Sequence, residues 1–470
     1  MKQFIDENFL LENDLAKALY NSNKDMPIFD YHCHLSAEDI FNNKKFDNIT
    51  RLWIYDNGNG DHYKWRIMRA SGIDEKYITG NATDYDKFLK FARIMPNLIG
   101  NPIYEWCHIE LRKYFDIFDE INETNARKIY DLTEKKLNKL SARDFIKKSN
   151  VSYLFTTDDP LDTLIYHEKL ENEKLPFEVY PCFRGDNLIK IDNPNFLSYI
   201  QKLSDITNNK ISNINNLKIS IKSRLSYFIR HKCLAADLGI DEYFPYEILS
   251  DSEINNILIK RLKGLELNIK EINAYKTYII KFLMTEFANE NIICELHIGP
   301  LRNVSKVNFN KLGRDSGFDM ISDQCYISNL AKAFSDIEEN GKLPKTIVFP
   351  INENDYDAVL SLLASFTSNK KGFMQLGAAW WFNDNYDGII KNLTKQANYL
   401  PLGNMIGMLT DSRSFTSYIR HDYFRRIVCS FISKLVINGR YPNNMEQLDS
   451  IVKNIFYNNS KGFFLKDGQK

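Results

Sequence analysis

Short apolar runs recur along the chain, separated by longer stretches in which apolar residues return at helical spacing or turn residues cluster. The runs at 28–34, 151–158, 177–184, 232–239, 292–299, 346–352, 373–382 and 406–413 read as strands. Their apolar character is nearly continuous, as in strands covered on both faces, and the helical stretches between them are the connections of a parallel sheet. Eight such units predict an α/β fold, a closed (β/α)₈ barrel of the TIM type forming one domain over residues 1–470.

Nearly every run turns from apolar to reactive at its C-terminal end. Those ends carry His32 and His34, Thr156 and Asp158, Arg184, Asp237, His297, Asn352, Trp380 and Trp381, and Asp411 and Arg413. In a barrel of parallel strands they converge on one mouth, where active sites of this fold lie. Each residue alone is equally a strand-end cap or turn former; the set points to a site.

The connections are uneven. Residues 36–150, between the first two strands, hold Trp53, Trp65 and Trp106 and show helical spacing over 84–94 and 125–149. A structureless loop of that length does not fit a compact domain, so a mainly helical insertion over the mouth is expected. A second insert spans 194–231, and helices over 417–437 and 444–457 close the barrel.

Composition narrows the partners. Lys+Arg and Asp+Glu both number 61, so no net field steers the chain to nucleic acid or an anionic membrane. The 7 cysteines are scattered and form no Cys-x-x-Cys pair, which suits a reducing compartment. No apolar signal core opens the sequence and no run is long enough to span a membrane, so a cytoplasmic location is expected.

The chemistry starts with His32 and His34. In a strand, residues two apart face the same way, so both imidazoles share one space. The last strand of a closed barrel neighbours the first, which brings Asp411 to them; two imidazoles and a carboxylate suit Zn²⁺ or a similar divalent ion. As alternatives, the histidines are a polar strand face and Asp411 an N-cap of the following helix. His297 is open to three roles: fourth ligand, acid/base or donor to a substrate oxygen. Arg184, Arg302 and Arg413 lie at or just past strand ends, and a mouth that gathers guanidinium groups takes an anion, most simply a substrate carboxylate. His62 and Tyr63, early in the insertion, could stand over the metal, or the run 61–66 is a helix start with a charged face. Trp380 and Trp381 wall the pocket or belong to the core.

Taken in order, several motifs carry a resemblance over essentially the whole length: Asp-Tyr-His-Cys-His-Leu at 30–35, Gly-Asp-His-Tyr-Lys-Trp-Arg at 60–66, Asn-Pro-Ile-Tyr at 101–104, His-Ile-Glu-Leu-Arg at 108–112, Thr-Asp-Asp-Pro at 157–160, Trp-Trp-Phe-Asn-Asp at 380–384, Gly-Met-Leu-Thr-Asp-Ser-Arg-Ser-Phe at 407–415, and Arg-His-Asp-Tyr-Phe-Arg-Arg at 420–426. The chain resembles the uronate (glucuronate) isomerase family of the amidohydrolase superfamily. The resemblance implies a barrel of the metal-dependent hydrolase kind with one divalent metal ion, usually zinc, and aldose–ketose interconversion of D-glucuronate with D-fructuronate and of D-galacturonate with D-tagaturonate. It places the metal on His32, His34 and Asp411. It implies that His62, Tyr63, Arg184, His297 and Arg413 bind substrate or move protons; the expected roles are catalysis for Asp411, Tyr63, His62 and His297, and substrate binding for Arg184, Arg413 and Trp381. A homo-oligomer is expected. Gly185 stands where the family commonly has Pro, Leu238 where it commonly has His, and Glu105 and His108 differ around Trp106.

Two other readings remain at this stage. One is a single-metal hydrolase acting on a carboxylate-bearing substrate, although the fourth strand offers Ala235, Ala236 and Asp237 and no lysine to bridge a second metal. The other is a non-catalytic sugar-acid binding protein that kept the barrel.

Overall fold

The computed structural model describes residues 4–56, 58–241, 243–341 and 343–465. Parallel strands carry the site. β1 (Ile28–Asp30) pairs with β2 (Val151–Phe155), which pairs with β3 (Glu178–Tyr180). β4 (Cys182–Arg184), β5 (Ala235–Ile240), β6 (Ile293–Ile298), β7 (Thr346–Pro350) and β8 (Met374–Leu376) pair in succession. Both β5 and β6 are buried at every position, Asp237, Glu295 and His297 included, as strands covered on both faces are. The register sets Asp237 beside Glu295 and Gly239 beside His297 on β5 and β6, with Phe349 of β7 on the other side of His297.

Two of the expected strands take a different form. The run at 177–184 is divided at Pro181, which has no N–H to give the ladder, and its halves pair in different sheets. The two sheets are stitched past the end of β2, where Asp158 N donates to Cys182 O at 3.0 Å and Arg184 N to Asp158 O at 2.9 Å. The run at 406–413 forms no regular strand, because Gly407 (φ 73°) and Asp411 (φ 42°) lie in the left-handed region. Side chains take over the ladder there. The Asp30 carboxylate accepts from Thr410 N (2.7 Å) and its hydroxyl (2.6 Å), Tyr31 Oη donates to Gly407 O (3.1 Å), and Arg420 donates to Thr410 O (3.0 Å). Backbone bonds then tie Asp411 N to His32 O and His34 N to Ser412 O, both at 3.0 Å. On the far side, Gln375 of β8 donates to Asn404 O.

Between β1 and β2 the chain is mostly helical, including His62–Ala70, Asp84–Ile94 and Pro102–Phe115. The helical stretch expected over 125–149 is two helices, Ala126–Leu137 and Ala142–Lys148, because Ser141 and Asp144 form a capping box that starts the second. The helix Ile419–Ile437 packs against Pro102–Phe115 and so connects the end of the chain to this layer. Among the described residues no helix is long and apolar enough to cross a membrane.

Candidate active site and metal centre

A cavity of about 700 Å³ opens where the strand ends meet, lined by His32, His34, His62, Tyr63, Arg184, His297, Arg302, Trp381, Asp411 and Arg413 among others. Three expected strand-end groups, Thr156, Asp158 and Asn352, are not part of its lining. Asp158 turns to Thr156 Oγ1 (2.7 Å) and Cys182 N (3.3 Å) in a buried cluster with His167, and Asn352 accepts from Asn354 N as a helix cap. Asp158 and Asn352 satisfy local backbone and hydroxyl groups, the role open to any single polar strand end.

His32 and His34 extend past β1, and the spacing of two still aims both rings at one point. Their Nε2 atoms lie 3.4 and 2.9 Å from Asp411 Oδ1, with the rings perpendicular. The other oxygen, Asp411 Oδ2, accepts from Trp380 Nε1 at 2.6 Å. Behind His32, Nδ1 meets Glu295 Oε2 at 2.9 Å, which fixes the ring and presents Nε2 to the cavity. Burial alone would push the Asp411 carboxyl up; hydrogen bonds from His32 and His34 outweigh it and hold the group well below the ordinary carboxylate range. Burial lowers the His34 imidazole to about 4 despite Asp411, so it stays neutral, as a ligand must be. The donor atoms of His32, His34 and Asp411 all lie within 4.8 Å of one another. Two nitrogens and a carboxylate oxygen, backed by a buried acid, fit a divalent ion of the borderline kind.

His297 stands beside this group without joining it. Its Nδ1 is 2.7 Å from Asp237 Oδ1, and its ring stacks on Phe349 at 4.5 Å and 3° and lies 4.6 Å from the His32 ring. Its Nε2 is buried and, among the described residues, has no hydrogen-bond partner. His32, Asp237 and His297 also cluster closely enough to hold an ion, yet Asp237 and His297 already spend donor atoms on each other.

The helix His62–Ala70 forms part of the roof. Asp61 caps it by accepting from Tyr63 N (2.9 Å) and pairs with the buried Lys64 at 2.7 Å. His62 Nε2 lies 2.8 Å from Arg413 Nη1; burial first, and then that guanidinium, bring the imidazole down to about 4. It is therefore neutral and accepts from the arginine. The Tyr63 ring lies 5.2 Å from the Arg420 guanidinium, and burial raises its phenol well above the usual range.

The three arginines differ. Arg184 is matched by Asp186 (3.0 Å) and Asp237 (3.6 Å), and Arg302 by Asp241 (3.2 Å) and Asp319 (2.9 Å) while lying 5.1 Å from the Trp381 ring. Arg413, which is exposed, has no carboxylate within 4.0 Å among the described residues. The sequence reading missed Glu295 and the Trp380 N–H. Glu295 had a signal, since it precedes His297 by two on β6 and shares its inward face.

Barrel strands that deliver two imidazoles and a carboxylate to one mouth define an α/β-barrel protein of the amidohydrolase kind with a candidate metal centre. A family model described as Glucuronate isomerase matches residues 1–464. The chain belongs to that enzyme family. It is 44% identical over 472 residues to the uronate isomerase of Brachyspira hyodysenteriae, covering 99% of this chain and 100% of the relative. It is 45% identical over 467 residues to that of Caldicellulosiruptor saccharolyticus, with coverage of 99% and 100%. Among solved structures, the uronate isomerase of Thermotoga maritima superposes with a TM-score of 0.93 at 29% identity, covering 99% of this chain and 100% of that one. The glucuronate isomerase of Caulobacter crescentus shares the fold with a TM-score of 0.90 at 20% identity, over 99% and 98% of the two chains.

Proposed function

We propose that the chain interconverts D-glucuronate with D-fructuronate and D-galacturonate with D-tagaturonate, one barrel domain carrying the site and the helices between β1 and β2 roofing it. The observation that carries this reading is the distribution of charge in the mouth: a three-ligand centre at the bottom and, at the rim, the Arg413 guanidinium with no carboxylate within 4.0 Å among the described residues.

In this reading His32, His34 and Asp411 hold one divalent ion, zinc by its donor set, which when bound supplies Lewis-acid stabilisation of charge developing on oxygen. Arg413 takes the substrate carboxylate, positioned by the neutral His62, and Arg184 and Trp381 line the path between. Binding energy at the carboxylate end places the reacting carbons at the other. The isomerisation removes the proton from C2, protonates the C1 oxygen to give a cis-enediol, returns a proton to C1 and releases the one on the C2 oxygen, so no oxidant or reductant is consumed. Asp411, Tyr63, His62 and His297 are the proton carriers within reach. His297 is the candidate acceptor, because Asp237 holds Nδ1 and leaves Nε2 without a partner on a ring 4.6 Å from that of His32. Tyr63, whose phenol burial raises well above the usual range, keeps its proton and can give a hydrogen bond to a substrate oxygen.

The test is NMR of the purified protein with each uronate, in which the C2 ketone signals of the ketouronates should grow in. Release of an amine or acid from a model substrate without isomerisation would favour a hydrolase instead. Arg413→Ala should lower kcat/KM for D-glucuronate by about a hundredfold, with kcat falling as well as KM rising. Unchanged kinetics would remove Arg413 from the site.

A further inference from the structure

After β6 the chain leaves the barrel as a flap before the helix Ile327–Glu339. Pro300–Leu301 pairs antiparallel with Met320–Ile321, and the helix Lys306–Leu312 lies between them. Its tip is a tight reversal, with Gly313, Asp315 and Gly317 all at positive φ (79°, 54° and 92°). The flap is built in place. Arg66 and Arg69 of the roof helix donate to Asp319 O and Ser316 O, and the Arg69 guanidinium lies 4.7 Å from the Phe318 ring. From inside, Arg302 pairs with Asp319 at 2.9 Å, and Asn303 N donates to the same carboxylate at 2.8 Å. The helix that presents His62 and Tyr63 thus also fixes the flap, and the tip contributes Arg314 and Asp315 to the cavity lining.

Arg314 is exposed and, among the described residues, has no carboxylate within 4.0 Å. It shares this with Arg413 alone among the arginines named at the mouth, since Arg184 and Arg302 are matched by acids and Arg420 lies 3.4 Å from Asp384. Asp315 stands within electrostatic reach of Arg413, His62, Arg302 and Arg314. Neither Arg314 nor Arg413 has a carboxylate within 4.0 Å among the described residues, so both guanidiniums keep donors open to a substrate carboxylate.

We propose that Arg314 is a specificity-determining residue for the acid substrate, forming with Arg413 a two-sided clamp on its carboxylate. A planar fork from the flap and another from the barrel can engage the two carboxylate oxygens separately, selecting a six-carbon acid over the neutral sugar of the same length. The proposal rests on the uronate reading above.

The test compares wild type, Arg314→Gln and Arg314→Lys in KM and kcat for D-glucuronate, alongside inhibition by D-glucitol, a neutral six-carbon analogue. Arg314→Gln should raise KM about tenfold and lower kcat by less than Arg413→Ala does, with the glucitol inhibition constant unchanged. Arg314→Lys should recover part of the loss, because it keeps the charge and loses the fork. A KM for Arg314→Gln matching wild type, or a parallel loss of glucitol binding, overturns the clamp and leaves the isomerase reading intact. A wild-type protein that converts no uronate overturns that reading, and the clamp with it.

Discussion

Asp411 divides its carboxylate between two tasks. Oδ1 faces the histidines, and Oδ2 is taken by the indole N–H of Trp380, whose ring also packs edge-on against His297 at 4.9 Å. A carboxylate anchored by one oxygen offers the other at a fixed angle, which favours single-oxygen ligation at this position. Trp380→Phe keeps most of the ring and removes the N–H, so it should weaken zinc binding about ten- to hundredfold, read by competition with a chromophoric chelator. Affinity equal to wild type would show that backbone alone orients Asp411. At this scale His32, His34 and Asp411 were legible because the residue types are few and their spacing has a direct geometric meaning. The partners of Glu295 and Trp380 were not: spacing puts Glu295 on the inward face with His297 and Trp380 at a strand end, but which group each one meets depends on what faces it.

The segment 405–412 shows an element doing a strand's work without being one. Gly407 sits at φ 73°, and a Cβ there would lie 2.2 Å from Ile455 O, a backbone atom that cannot swing aside. Gly407→Ala should therefore cost about 2 kcal/mol or more in urea unfolding, and weaken metal binding by shifting Thr410 and Asp411. A stable variant with normal metal affinity would mean that the segment bends freely. The sequence placed this run correctly against the first strand, but its continuous apolar character reads as a strand even though Asp30 and Arg420 replace the ladder bonds. The departures at Gly185 and Leu238 also turn out to be one feature. A Cβ at 185 would meet Leu238 Cδ2 at 2.6 Å, so the leucine occupies room that a larger residue at 185 would need.

For the molecule as a whole, buried imidazoles set how stability responds to acid. Burial brings His62, His108 and His167 down to about 4; in His108 the reason is visible, since Nε2 accepts from Ile121 N at 2.9 Å and has no place for a proton. Unfolded, these groups take up protons near 6.5, so their contribution is complete above about 6.5 and is lost as pH falls toward about 4. Asp158 and Asp384 run the other way: burial raises both to about 7, and their contribution, complete below about 3.9, is lost as pH rises through 7. Asp158→Asn removes one of the opposing carboxyls, so the urea midpoint of the metal-free variant should change more positively between about pH 4.5 and about pH 6.5 than that of the wild type. An unchanged pH dependence would mean that Asp158 does not hold its proton in the folded state.

The sequence by itself determined the barrel class, the order of its strands, a candidate ligand pattern and the family, because apolar runs, spacing and ordered motifs are local properties that survive without coordinates. Only the tertiary structure decided which cations are already neutralised, which polar ends turn into buried clusters, and that residues from a flap share the mouth with residues from the barrel. Charge matching depends on distances between groups that are mostly tens of positions apart, and no local pattern in a chain encodes them.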